Sequence, residues 1–256
     1  MPATLIRLWA LTEKECRRFL RVWLQTVMSP VITAILYFAV FGAALSPHIS
    51  GFSKVSYLAF IVPGLILLQA TNNAFQNPSS SLIIAKYHGN IVDLLTAPLS
   101  ALEKTLGYLF GGIIRGMMVS LVIWAVAAFF VPHLFPEHPL LLLLMLFLAN
   151  GVFTLLGTIV GIWGNTFDQI SGFTTFIITP MGFLGGIFYS IELLPPLART
   201  LSLGNPFFYF ADGARWAFFG IADVSPIASF SVCGGMFLVL FTINWFMFAK
   251  DWRLKE

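Results

Sequence analysis

The sequence predicts an all-α, polytopic membrane protein, and three observations predict it. Hydrophobic side chains make up 58% of the 256 residues against 10% charged, at a mean hydropathy of +0.89. Runs free or nearly free of charge recur along the chain, each near the roughly 20 residues that a helix needs to cross a hydrocarbon core about 30 Å thick. Lys and Arg gather in particular segments between those runs. One membrane domain, 1–256, follows: an interfacial helix at 5–23, six transmembrane helices at 26–45, 57–80, 105–131, 140–164, 172–190 and 226–248, and a re-entrant segment at 192–222. The formal charge of +3 gives no support to nucleic-acid binding, and Cys16 and Cys233 indicate no disulfide framework.

The N-terminal helix is read from Leu5, Leu8, Trp9, Cys16, Phe19, Leu20 and Trp23 at three- and four-residue spacing, with Arg7, Lys14, Arg17, Arg18 and Arg21 between them. A basic amphipathic helix carrying Trp suits the headgroup layer, and it leaves no pattern of a cleavable leader. No charge follows Arg21 until Lys54, which sets the first span at 26–45 and an external loop at 46–56. In the second span, Gln69, Asn72, Asn73 and Gln76 stand at i, i+3, i+4 and i+7, so four amides share one face. Amides are costly against lipid, so that face meets protein or water: interhelical glue or a polar translocation path.

The segment 85–99 is the interior stretch that combines charge, turn signals and amphipathic spacing, with Ile91, Leu94 and Leu95 against Lys86, His88, Asn90 and Asp93. A short helix held at the water side between two spans is either shaped to be pushed by a separate motor or an interfacial connector with no partner. The third span carries Arg115, a functional candidate as an intramembrane charge that can also reach the interface or pair internally. Gly107 with Gly111, and Gly112 with Gly116, repeat a spacing that lets helices approach closely. The turn at 132–139 holds His133, Glu137 and His138 at no recognisable ligand spacing, so no metal is expected there. Pro180 and Gly182, Gly185 and Gly186 bend or tighten the fifth span, and the Pro- and charge-punctuated stretch beyond it fits two short helices entering and leaving the outer leaflet. With both termini inside, ten basic residues face the cytoplasm and only Lys54, Arg199 and Arg215 lie outside.

No Gly is followed by Lys, so a phosphate-cradling G-x-x-x-x-G-K-[ST] loop is missing, and G-x-S-x-G and H-E-x-x-H are missing too. Every Asp and Glu falls in a loop or at a span end, which disfavours an ion-coupled carrier.

With these segments in order, the chain resembles the permease subunits of type-two ABC exporters over nearly its whole length. The basic N-terminal helix, FIVPGL, KYHGNIVDLLTAPLS and TPMGFLGGIFYSIELLPPLARTLSLGNPFFYFADGARW carry the resemblance, the last through Asn205-Pro206 and Arg215 in its re-entrant part. It implies a coupling helix, with Lys86, Tyr87, His88, Asn90, Asp93 and Leu94 meeting a separate ATPase. It further implies two ATPase copies that bind ATP and Mg, and a second permease copy as homodimer in a bacterial inner membrane. The first and fifth spans would meet near the path, drawing in Phe38, Phe41, Phe176 and Phe183 beside the amide face. No catalytic residue or cofactor is expected in this chain. The alternatives are a membrane enzyme, for which Glu192, Arg199, Asp212, Arg215 and Asp223 form the cluster to check, and a non-transporting scaffold.

Overall fold

The computed structural model describes residues 3–45 and 55–253, and among them there are helices and no strands. The expected loop at 46–56 falls mostly outside the described residues, as do Lys54 and Lys255. The N-terminal helix α1 (Ala3–Arg21) buries Leu11, Thr12, Glu15 and Phe19, one stripe at helical spacing. Helix α2 (Trp23–Ala39) follows after Val22 and passes into a π-helical turn, Val40–Leu45.

The centre of the bundle is α3 (Tyr57–Tyr87), 31 residues long and almost wholly buried. Its two closest neighbours are α5 (Ala101–Phe130) and α6 (Pro139–Trp163). Close approach to α6 depends on two glycines: a Cβ on Gly161 would stand 2.9 Å from the Ser79 Cα, and one on Gly157 would strike the Phe75 carbonyl. The pair Gly112 and Gly116 admits Thr154 and Asn150 of α6. The pair Gly107 and Gly111 admits Leu11 and Glu15 of α1, so this small-residue groove receives the amphipathic helix, with Asn77 of α3 beside it.

Among the described residues five helices are long and apolar enough to cross a membrane: Trp23–Gly42, Tyr57–Tyr87, Ala101–Phe130, Pro139–Trp163 and Pro226–Ala249, the last being α11. The fifth span, expected at 172–190 and expected to bend or tighten, is a bent run that starts earlier: α7 (Phe167–Phe173), a π turn (Thr174–Ile178) and α8 (Thr179–Phe183). Pro180 brings no amide hydrogen to continue the α pattern, and Gly186, at φ 67°, turns the chain just beyond. The stretch expected to be re-entrant holds a 3-10 turn (Ile191–Leu193) and the helices α9 (Pro196–Leu203) and α10 (Pro206–Phe219).

The segment 85–99, expected as a short amphipathic helix with turn signals, is divided at one of them. Residues 85–87 complete α3, a turn with Gly89 at φ 74° reverses the chain, and α4 (Ile91–Thr96) is six residues long. The next helix starts on a capping box: Ser100 accepts from the Glu103 amide at 3.2 Å, and the Glu103 carboxylate accepts from the Ser100 amide at 2.6 Å.

Candidate functional site

Four elements enclose a cleft of about 670 Å³: the α1–α2 junction, α3, α5 and the bent run at 167–183. Its wall includes Gln69, Asn72, Asn73 and Gln76 together with Arg115, so the amide face and the intramembrane charge converge on one space. Helical spacing alone put the amides on one face, but bringing Arg115 to them required the α3–α5 packing. The Arg115 Nη2 donates to Asn73 Oδ1 at 3.0 Å. Asn72 and Asn73 return their own amide hydrogens to the Leu68 and Gln69 carbonyls at 2.7 and 3.0 Å, which fixes both side chains along α3. The opposite wall carries Gln25, Ser29, Ser171, Thr174 and Thr175, hydroxyls and amides that composition did not single out.

The four phenylalanines expected near the path lie elsewhere than this cleft. Phe38 is buried against Phe130, with ring centroids 5.4 Å apart. Phe41 and Phe183 both stack on Phe188, at 4.7 and 5.5 Å, and Phe176 points outward at 80% exposure.

At one end of the bundle, α1, α4, the start of α5 and the end of α11 come together. Arg7 donates to the Pro98 carbonyl at 2.7 Å and pairs with Glu103 at 3.1 Å, while Lys104 pairs with Asp251 at 3.7 Å. Between α1 and α4 runs a groove of about 410 Å³ that includes Arg7, Lys14, Asp93 and Pro98. Of the residues expected to meet a motor, Tyr87, His88, Asn90 and Asp93 are exposed, and Val92 joins them at 55%. Lys86 and Leu94 face inward. Lys86 Nζ donates to the carbonyls of Ile162 and Gly164 at the end of α6, and Leu94 is buried with Leu82, Tyr108 and Phe248. Sequence spacing gave the residues of this loop but not which side each would take, because the break at Gly89 resets the helical phase.

Reading from composition alone also passed over Glu15. Its carboxylate is fully buried, accepting from Ser81 Oγ at 2.6 Å and from Asn77 Nδ2 at 3.4 Å, and it pairs with Arg18 at 3.3 Å. Arg18 also donates to Asn77 Oδ1 at 2.8 Å and to Ser80 Oγ at 3.1 Å. The available signal was Gly111, whose missing side chain leaves room for the Glu15 stem.

Asn205, Pro206 and Arg215 brace the segment between the bent run and α11. Asn205 accepts from the Phe207 amide at 3.0 Å, capping α10 with Pro206 in its first turn, and donates to the Met181 carbonyl at 2.7 Å. Arg215 is 1% exposed, donates to the Gly186 carbonyl at 2.5 Å, lies 3.8 Å over the Phe60 ring, and faces Asp212 and Asp223 at 3.8 and 3.7 Å. Both carboxylates are engaged with backbone as well: Asp212 accepts from the Asp223 amide at 2.7 Å, and Asp223 from the Ile191 amide at 3.2 Å. Glu192 and Arg199 stand apart from this group, exposed. The arrangement pins loop backbone.

Residues 6–219 match the family described as ABC-2 type transporter. The chain is 40% identical over 250 residues to the inner membrane transport permease YadH of Escherichia coli strain K12, covering 97% of this chain and 96% of that protein. It is likewise 40% identical over 250 residues, with the same 97% and 96% coverage, to the permease of that name in Shigella flexneri.

Proposed function

The chain belongs to the ABC-2 type transporter family as a membrane permease subunit, and on that premise we propose that it exports an amphipathic, lipid-linked or drug-like compound across a bacterial inner membrane. The observation that carries this reading is the cleft walled by Gln69, Asn72, Asn73, Gln76 and Arg115 among membrane-length helices. Polar groups held there are expensive unless they meet protein or water, and a path supplies the water.

The energy comes from a separate ATPase, which binds ATP and Mg; this chain supplies the docking loop at 88–96 and a second conformational state. Two ATPase copies serve two permease copies. The exposed apolar residues Ile32 and Leu36 of α2, with Phe176 of the bent run and Leu184 just beyond it, suit the contact between permeases. Both termini are cytoplasmic in this reading, and the clustering of α1, α4 and the end of α11 at one end of the bundle supports it. Nucleotide-driven closure of the ATPase pair would move α4, and through it the packed α3–α6 unit, as a rigid body.

Co-expression of the tagged permease with an ATPase encoded beside it, followed by native mass spectrometry in mild detergent, tests this. A two-plus-two complex that hydrolyses ATP is the expected result. A permease that associates with no ATPase would overturn it.

A further inference from the structure

We propose that the cleft at Arg115 is a subsite for an oxyanionic headgroup carried by an amphiphile, so that the exported compound is an acidic lipid-like molecule. The inference rests on reading the cleft as part of the transport path, and it deepens that reading by naming the substrate class.

The charges around the cleft do not balance. Among the described residues two guanidiniums line it, those of Arg18 and Arg115, and no Asp or Glu does. Arg18 has its own carboxylate in Glu15 at 3.3 Å. Arg115, only 8% exposed, has a neutral partner in Asn73, and its Nε has no hydrogen-bond partner among the described residues. A buried guanidinium without a counter-charge is unfavourable, and an oxyanion presented to its planar fork would supply both the charge and the missing acceptor. The surrounding amides and hydroxyls, Gln69, Asn72, Gln76, Ser171 and Thr175, offer neutral donors without adding a competing negative charge. An apolar tail suits the rest of the wall, where Val22, Pro30, Phe167 and Ile170 meet the same space. The site lies among membrane-length helices, where a tailed ligand arrives more readily than a hydrated free anion.

The test uses the full-length permease in nanodiscs of phosphatidylcholine, which carry no net anionic lipid. Dodecyl phosphate, dodecyltrimethylammonium and inorganic phosphate are titrated separately while the thermal midpoint is followed. Dodecyl phosphate is expected to raise the midpoint, and the other two to leave it unchanged at equal concentration. Gln76 is exposed at the rim, so Gln76→Glu keeps the fold, adds a repelling charge and should weaken apparent dodecyl phosphate affinity about tenfold. Arg115→Gln should weaken it at least as much, and Arg115→Lys should retain part of it.

Equal affinity in wild type and Gln76→Glu, or equal stabilisation by the cationic amphiphile, would overturn the subsite. An equal effect from inorganic phosphate would overturn the amphiphile. Native mass spectrometry of the permease with its ATPase separates the two readings. An intact complex with no dodecyl phosphate effect removes the subsite and leaves the permease reading standing. An unmutated permease that forms no complex removes the reading beneath it.

Discussion

The Ser81 hydroxyl donates to the Glu15 carboxylate at 2.6 Å, joining residues 66 positions apart and fastening the amphipathic helix α1 to the central helix α3. Helix α1 is therefore built into the bundle by a buried polar network, with its basic face outward along Lys14, Arg17 and Arg21.

Removing that carboxylate should loosen α1. Glu15→Ala leaves Asn77 and Ser81 without their acceptor, but Arg18 is partly exposed and recovers water, so the expected loss is about 2 kcal/mol. Thermal unfolding of the purified permease measures it, and faster tryptic cleavage at Arg17 and Arg21 would locate it. Gly111→Leu should act on the same contact, and the double variant should lose less than the sum of the two.

Arg215 should resist even conservative replacement. A lysine cannot face two carboxylates, bond the Gly186 carbonyl and lie flat on Phe60 at once. Arg215→Ala, which strands the buried Asp212, is expected to cost about 3–5 kcal/mol, and Arg215→Lys about half of that. The fraction surviving a heat step in size-exclusion chromatography gives the order of the three proteins.

The exposed and buried residues of α4 should separate docking from folding. Val92→Glu and Asp93→Arg change only the outer face, so the permease should keep its thermal midpoint and lose its ATPase. Leu94→Glu would bury a carboxylate among Leu82, Tyr108 and Phe248, and should instead fail before any partner is added. Pull-down and thermal midpoint, measured on the same three variants, distinguish the two outcomes.

The amides of the cleft should also divide. Among the described residues Asn72 bonds only the Leu68 carbonyl of its own helix, so Asn72→Leu should lower export while leaving assembly and stability within about 1 kcal/mol of wild type. Asn73→Leu deprives Arg115 of its acceptor and should lower both. A transport assay in proteoliposomes beside a thermal midpoint reads the difference. Loss of assembly in Asn72→Leu would make the amide face interhelical glue.

Membrane-length apolar runs fixed four of the long helices to within a few residues, because span length is set by the bilayer and not by tertiary contacts. The bend of the fifth span was legible in Pro180 and its glycines, whereas its earlier start at Phe167 and the π turn at Thr174–Ile178 were not, because hydropathy is insensitive to backbone geometry. The amide face of α3 was legible as a period, whereas its meeting with Arg115 was not, since the rotation of α5 is set by Gly112 and Gly116 against α6. Glu15 was hidden for a related reason: beside Glu13 and among five basic residues, an acid on an amphipathic helix reads as one more solvated charge.

Helix α3 has a mechanical consequence. Its 31 residues make a rod about 46 Å long, well beyond a hydrocarbon core of about 30 Å. Lys86, bonded to the carbonyls that end α6, clamps a second rod beside it. A push on the loop would thus enter the membrane along two joined helices, with Pro78 of α3 marking where the first would bend. The amide face begins with Gln76, about 16 Å along the same beam from Tyr87, so a tilt started in the water would be felt at the cleft as a change of its width.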